Sequence, residues 1–247
     1  MDYGASPALS SKRPMEDTVS IQRALVIGAG SGVGRATADA LAAGGANVLA
    51  AGRDRDATDP DQVAALLSEA DPDLVVVAAG TRPTMASIEE QSWESFSAPW
   101  NVDVKIAFEV GRAALARPLR PGSVVVIVSS GAGVNPNGSP LSGGYAGAKR
   151  MQMFLAGYLQ RSADARGLGI RFVALAPLQF LEGTAIGEAA AAAYGAQAGQ
   201  SAETYIKSWP APLDPAGVAR AILSIASGEA HPDATQLGVT GKGLEAI

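Results

Sequence analysis

The chain contains no cysteine and one histidine, His231, in 247 residues. Without thiols there is no disulfide framework, no thiolate metal site and no cysteine nucleophile. That absence suits a reducing cytoplasm, which is the expected compartment. A single histidine excludes multi-histidine metal centres, and no metal is expected. It also excludes a Ser-His-Asp triad built around any other position. His231, which precedes Pro232, reads as a surface or interface residue. No stretch is apolar for the length a membrane-spanning helix needs. Positive charge is not in excess either. The formal net charge of −5 argues against nucleic acid or an anionic membrane as the main partner.

With 47% hydrophobic and 17% charged residues, the chain can bury one large core, and its length suits a single α/β domain. Residues 1–20 are polar and rich in small side chains, hold no apolar signal-peptide core, and read as a mobile tail. From there short apolar runs alternate with helical patterns. Strands are expected at 23–27, 47–51, 74–78, 123–128, 170–176 and 236–240, the last closing the chain. Helices are expected at 33–43, 61–69, 88–98, 102–116, 144–165 and 214–227, with an Ala-rich helical region over 183–208. Strands that are apolar without alternation are buried on both faces, so the pattern implies a parallel sheet covered by helices. The expected fold is a doubly wound, Rossmann-type α/β domain over 21–247, with about seven strands.

The first strand ends in GAGSGVG, residues 28–34. Gly28, Gly32 and Gly34 have the spacing that permits a tight turn and a close approach of pyrophosphate to a helix start. Ser31 and Val33 lie in the same candidate cofactor turn. The second strand ends NVLAAGRD. Where a carboxylate would hold the ribose 2′-hydroxyl of NAD there is Gly52, followed by Arg53. An arginine grips a 2′-phosphate and a carboxylate repels one, which favours NADP(H). The alternative is that Arg53 is a solvated surface charge.

In YAGAK, Tyr145 and Lys149 are four residues apart on one helix face. A phenol ordinarily ionises near pH 10, and a neighbouring ammonium favours the ionised form, as proton transfer near neutrality requires. Ser129 and Ser130 end the strand before this helix, at the sheet edge where ligands bind. Asn101 opens the helix before that strand, where it can also serve as a plain cap.

These residues, in this order, resemble the short-chain dehydrogenase/reductase family over about residues 23–241. The resemblance places the family's glycine motif on Gly28, Gly32 and Gly34 and its Asn-Ser-Tyr-Lys tetrad on Asn101, Ser130, Tyr145 and Lys149. It implies that Ser130 polarises a carbonyl and Tyr145 protonates the developing alkoxide. Lys149 would hold the nicotinamide ribose, and Asn101 would hold a water leading to bulk solvent. Ala79, Gly80 and Pro177 become cofactor contacts, and a homotetramer or homodimer is implied.

Four departures stand out. The family's Asn-Asn-Ala-Gly reads Val77-Ala78-Ala79-Gly80, and its Pro-Gly reads Pro177-Leu178. Ser130 stands 15 residues before Tyr145, two more than in many members, so Ser142 competes as the catalytic hydroxyl. The segment after Arg53 is shortened, with a helix lost and the strand that follows it minimal. Asp56 there is either the adenine partner or a turn residue. The substrate loop is expected at 178–210, with Phe180, Tyr194, Tyr205 and Trp209 and one cation, Lys207. This suggests an apolar, non-anionic carbonyl or alcohol substrate, unless the aromatics only pack a lid helix. The expected activity is an NADP(H)-dependent carbonyl reductase or alcohol dehydrogenase. The alternative is an NADP(H)-binding protein with a regulatory or non-redox role such as cyclisation or dehydration.

Overall fold

The apolar runs form strands whose side chains are buried on both faces. The computed structural model describes residues 21–136, 139–208 and 211–247. The expected tail, 1–20, and Trp209 of the expected loop lie outside the described residues. The strands are β1 (Arg23–Ile27), β2 (Asn47–Ala51), β3 (Leu74–Val77), β4 (Val124–Val128), β5 (Arg171–Pro177), β6 (Gln236–Thr240) and β7 (Gly243–Ala246). They form one sheet in the order β2-β1-β3-β4-β5-β6-β7, parallel except for β7.

The helices are α1 (Gly32–Ala43), α2 (Pro60–Ala70), α3 (Trp93–Pro99), α4 (Lys105–Ala116), α5 (Gly131–Val134), α6 (Gly143–Ala165), α7 (Ala185–Gln197), α8 (Ala202–Lys207) and α9 (Pro215–Ala226). Alternate strand residues point to opposite cores. Leu25, Val75 and Val125 pack with Leu66, Val110 and Leu155 of α2, α4 and α6. Val26, Val76 and Val126 pack with Leu41 and Ile222 of α1 and α9 on the other side. The doubly wound expectation holds. The chain reverses direction across the sheet between β1 and β3, which opens a crevice at the carboxyl ends of those strands.

Three details differ from the sequence expectation. No strand forms between β2 and α2, so β2 is the sheet edge. Residues 52–59 are spent on turns instead: Asp56 accepts from the Thr58 amide and hydroxyl, and Asp59 caps α2 through the amides of Asp61 and Gln62. The helix expected from residue 88 begins at Trp93, because Ser92 caps it by accepting from Ser95 N. Residues 88–90 form one separate 3₁₀ turn held by a Ser87–Glu90 capping box. Finally, β6 does not close the chain. It turns through Gly241-Lys242 into β7, whose pairing Thr240↔Gly243 makes a two-residue hairpin.

Candidate active site

The turn from β1 to α1 depends on glycine at two points. Gly28 adopts φ +91°, and a Cβ there would lie 2.4 Å from Ala79 N. A Cβ on Gly34 would meet the Gly28 carbonyl at 2.2 Å. Ser31 holds the N-cap position of α1, yet its hydroxyl makes no capping bond. The first amides of α1 therefore have no side-chain partner, the condition that favours anion binding at a helix start.

On α6, Tyr145 and Lys149 are both buried, and Lys149 Nζ lies 5.4 Å from the centre of the Tyr145 ring. The helix reaches this depth because Gly144 lies against α3, where a Cβ would fall 2.0 Å from the Phe96 carbonyl oxygen. Nζ meets three protein oxygens: Gln152 Oε1 at 3.1 Å, Val128 O at 3.4 Å and Asp103 Oδ2 at 3.1 Å. Burial pulls the Lys149 amine down. The carboxylate of Asp103, with a further part from Tyr145, outweighs that and holds it above the ordinary lysine value.

Asp103 itself is fully buried. It belongs to a single π turn, Trp100–Val104, which joins α3 to α4 without a break. Pro99 has no N–H to give the ladder, and the wider turn follows it at once. The Asp103 backbone carbonyl accepts from Gln152 Nε2 at 2.9 Å, and Oδ1 accepts from Thr81 N at 2.7 Å. One aspartate thus ties the loop after β3 to α6.

These groups share a cavity of about 1230 Å³, lined from one end by Gly28, Ser31, Gly32, Val33, Arg53 and Asp56. Ala79, Gly80, Ser130, Ser142, Tyr145, Lys149 and Pro177 line it further on. Phe180, Tyr194 and Tyr205 close over it from the segment that carries α7 and α8. These rings also pack on one another, with centres 6.4 and 5.5 Å apart, as the lid-packing reading expects.

Over residues 24–177 the chain matches the NAD dependent epimerase/dehydratase family. It is 31% identical over 173 residues to an uncharacterized short-chain type dehydrogenase/reductase, y4eK, of Sinorhizobium fredii, covering 62% of this chain and 68% of that one. The chain belongs to the short-chain dehydrogenase/reductase family. Solved structures at lower identity share the fold of this short-chain dehydrogenase/reductase. Sorbitol-6-phosphate 2-dehydrogenase SrlD of Erwinia amylovora is 23% identical, covers 88% of this chain and 98% of its own, and superposes with a TM-score of 0.75. A Burkholderia cenocepacia short chain dehydrogenase in complex with NADP is 20% identical, with coverage of 89% and 96% and a TM-score of 0.71.

In this short-chain dehydrogenase/reductase, most of the residues read from sequence converge on the cavity. Two do not line it. Gly34 packs beneath the turn. Asn101 is exposed, and its Nδ2 contacts Ser97 Oγ at 3.4 Å. The π turn adds a residue to the helical register, and Asp103 stands beside Lys149. Asp56 makes the turn contacts expected of its second reading, yet it also borders the cavity. Ser130 caps α5 by accepting from Ala132 N, and the buried Ser142 hydroxyl lies 3.3 Å from Tyr194 OH. Both hydroxyls border the cavity. Sequence reasoning missed Asp103, and also Arg82, an exposed arginine on the cavity wall. It counted Lys207 instead, which pairs with Glu203 and does not line the cavity. The run WNVDVK held the signal for Asp103, since a carboxylate flanked by valines in a buried helix needs a partner.

Proposed function

We propose that the protein is an NADP(H)-dependent ketoreductase that moves a hydride between the nicotinamide and a small to medium, mostly apolar carbonyl or alcohol. The observation that carries this reading is the convergence on one cavity of the α1 amides, Arg53, Tyr145 and Lys149. The chain fits a dinucleotide: the uncapped α1 amides suit a pyrophosphate, and Arg53 is exposed and makes no ion pair among the described residues. Arg53 would hold a 2′-phosphate, and Ala79, Gly80 and Pro177 would border the ribose and nicotinamide. When bound, the cofactor supplies or accepts the hydride. Tyr145 gives the proton that completes the alcohol, and Ser130 orients the carbonyl oxygen. Lys149 supplies the positive charge beside the phenol. The apolar lid favours an apolar substrate body. α4 and α6 expose Phe108, Phe154 and Tyr158, and the proposal includes a homodimer or homotetramer built on that face.

The test is NADPH oxidation followed by absorbance against a panel of ketones and aldehydes. Turnover by the wild type that falls at least about 10³-fold in Tyr145→Phe is the expected result. Equal turnover by the variant would remove Tyr145 from the chemistry. A second reading, cofactor binding for a non-redox reaction, is favoured by one observation. The segments that border the nicotinamide side depart from the family's, reading Val77-Ala78-Ala79-Gly80 and Pro177-Leu178.

A further inference from the structure

We propose that Asp103 is the positioning residue of the site: its buried carboxylate is the built-in counter-ion that fixes Lys149 Nζ beside Tyr145 and keeps it an ammonium. The inference deepens the reading above and rests on it for what Lys149 does. The charge state itself can be measured without cofactor or substrate.

Lys149 and Asp103 are both buried, and their charged atoms are 3.1 Å apart. Two buried charges persist in a protein interior only when each has a partner and the remaining polar atoms are satisfied. Among the described residues, the titratable or charged groups acting on Nζ are Asp103, from the π turn between α3 and α4, and Tyr145, from its own helix. Gln152 and Val128, from α6 and β4, contribute neutral oxygens. Burial disfavours the protonated amine, and the Asp103 carboxylate is the largest influence acting the other way.

Asp103 is held from two further sides. Thr81 N fixes Oδ1, and Gln152 grips both the Asp103 backbone carbonyl and the lysine. Gly80 leaves the room: a Cβ there would lie 2.8 Å from Oδ2. Oδ2 lies 3.1 Å from Nζ, so the carboxylate meets the ammonium as an ion pair. Asp103 therefore sets both the position and the charge of the cation that Tyr145 faces.

The experiment is an NMR pH titration of the cofactor-free full chain labelled with ¹³C-lysine. There are five lysines, and Lys149→Met assigns the signal. In the wild type the Lys149 signal is expected to stay that of an ammonium at least as far up in pH as the other four. In Asp103→Asn, which keeps an acceptor for Thr81 N, it is expected to titrate about two pH units lower or more. An unchanged midpoint in folded Asp103→Asn would overturn the proposal. Should that variant fail to fold, the double variant decides. Asp103→Asn combined with Lys149→Met removes both buried charges and is then expected to fold and to melt cooperatively. A double variant that also fails to fold would overturn the pairing.

Discussion

At the scale of single residues, the proposed function assigns some groups to binding and others to reaction. Arg53 is exposed, on the cavity wall and without an ion pair among the described residues, so its removal is expected to act on affinity and not on fold. Fluorescence titration should show wild type preferring NADPH to NADH. Arg53→Ala should lose about 2–3 kcal/mol of NADPH affinity, roughly 30- to 150-fold, with NADH binding little changed. A preference that survives the substitution would show that Arg53 is only a solvated charge. The two serines can be separated in the same way. Ser130→Ala is expected to lower kcat/KM by about 10²-fold or more, whereas Ser142→Ala, whose hydroxyl already contacts Tyr194, should cost less than about tenfold. The reverse order would assign the carbonyl to Ser142. Tyr145 and Lys149 were legible in the sequence because an i,i+4 pair on a helix is a local fact. Asp103 was not, because its place beside Lys149 depends on one π turn that no periodicity announces.

At the scale of elements, the strands and the long helices were legible because their apolar residues bury both faces of one sheet. The missing strand after β2 and the added β7 were misjudged, since edge strands are short and weakly patterned. Helix contacts were equally silent. Gly144→Ala places a Cβ against the Phe96 carbonyl, a backbone atom that cannot rotate away. Overpacking of this kind costs about 1–3 kcal/mol, expected as a melting temperature several degrees lower. An unchanged melting temperature would show that α3 and α6 can part freely. At the opposite end of the strands, Asp73 accepts from the amides of Gln22 and Arg23 and pairs with Arg120. Burial opposes its ionisation, but Arg120 and these amides outweigh it and hold the carboxyl below the usual range. A depressed folded value adds stability that is present above the ordinary carboxylate range and is lost as pH falls through the folded value. Asp73→Asn should therefore cost about 1–3 kcal/mol at neutral pH and progressively less in acid. A cost independent of pH would contradict the ionic part of this account.

At the scale of the whole molecule, one sheet gathers residues from positions 27 to 205 around one cavity. No helix among the described residues is long and apolar enough to cross a membrane. The exposed Phe154 and Tyr158 rings stack with centres 6.2 Å apart on α6. Sedimentation is expected to give a dimer or tetramer, and Phe154→Glu with Tyr158→Glu a smaller species; an unchanged assembly would place the interface elsewhere. The central claim, hydride transfer with Tyr145 as the proton group, is tested most directly with NADPH deuterated at the transferring position of the nicotinamide. Incubated with a ketone that the wild type turns over, it should leave deuterium on the carbinol carbon of the product. Tyr145→Phe should bind the cofactor equally well and transfer almost none. Tight NADPH binding by the wild type, with no label reaching any carbonyl in the panel, would contradict the account and leave the non-redox reading in its place.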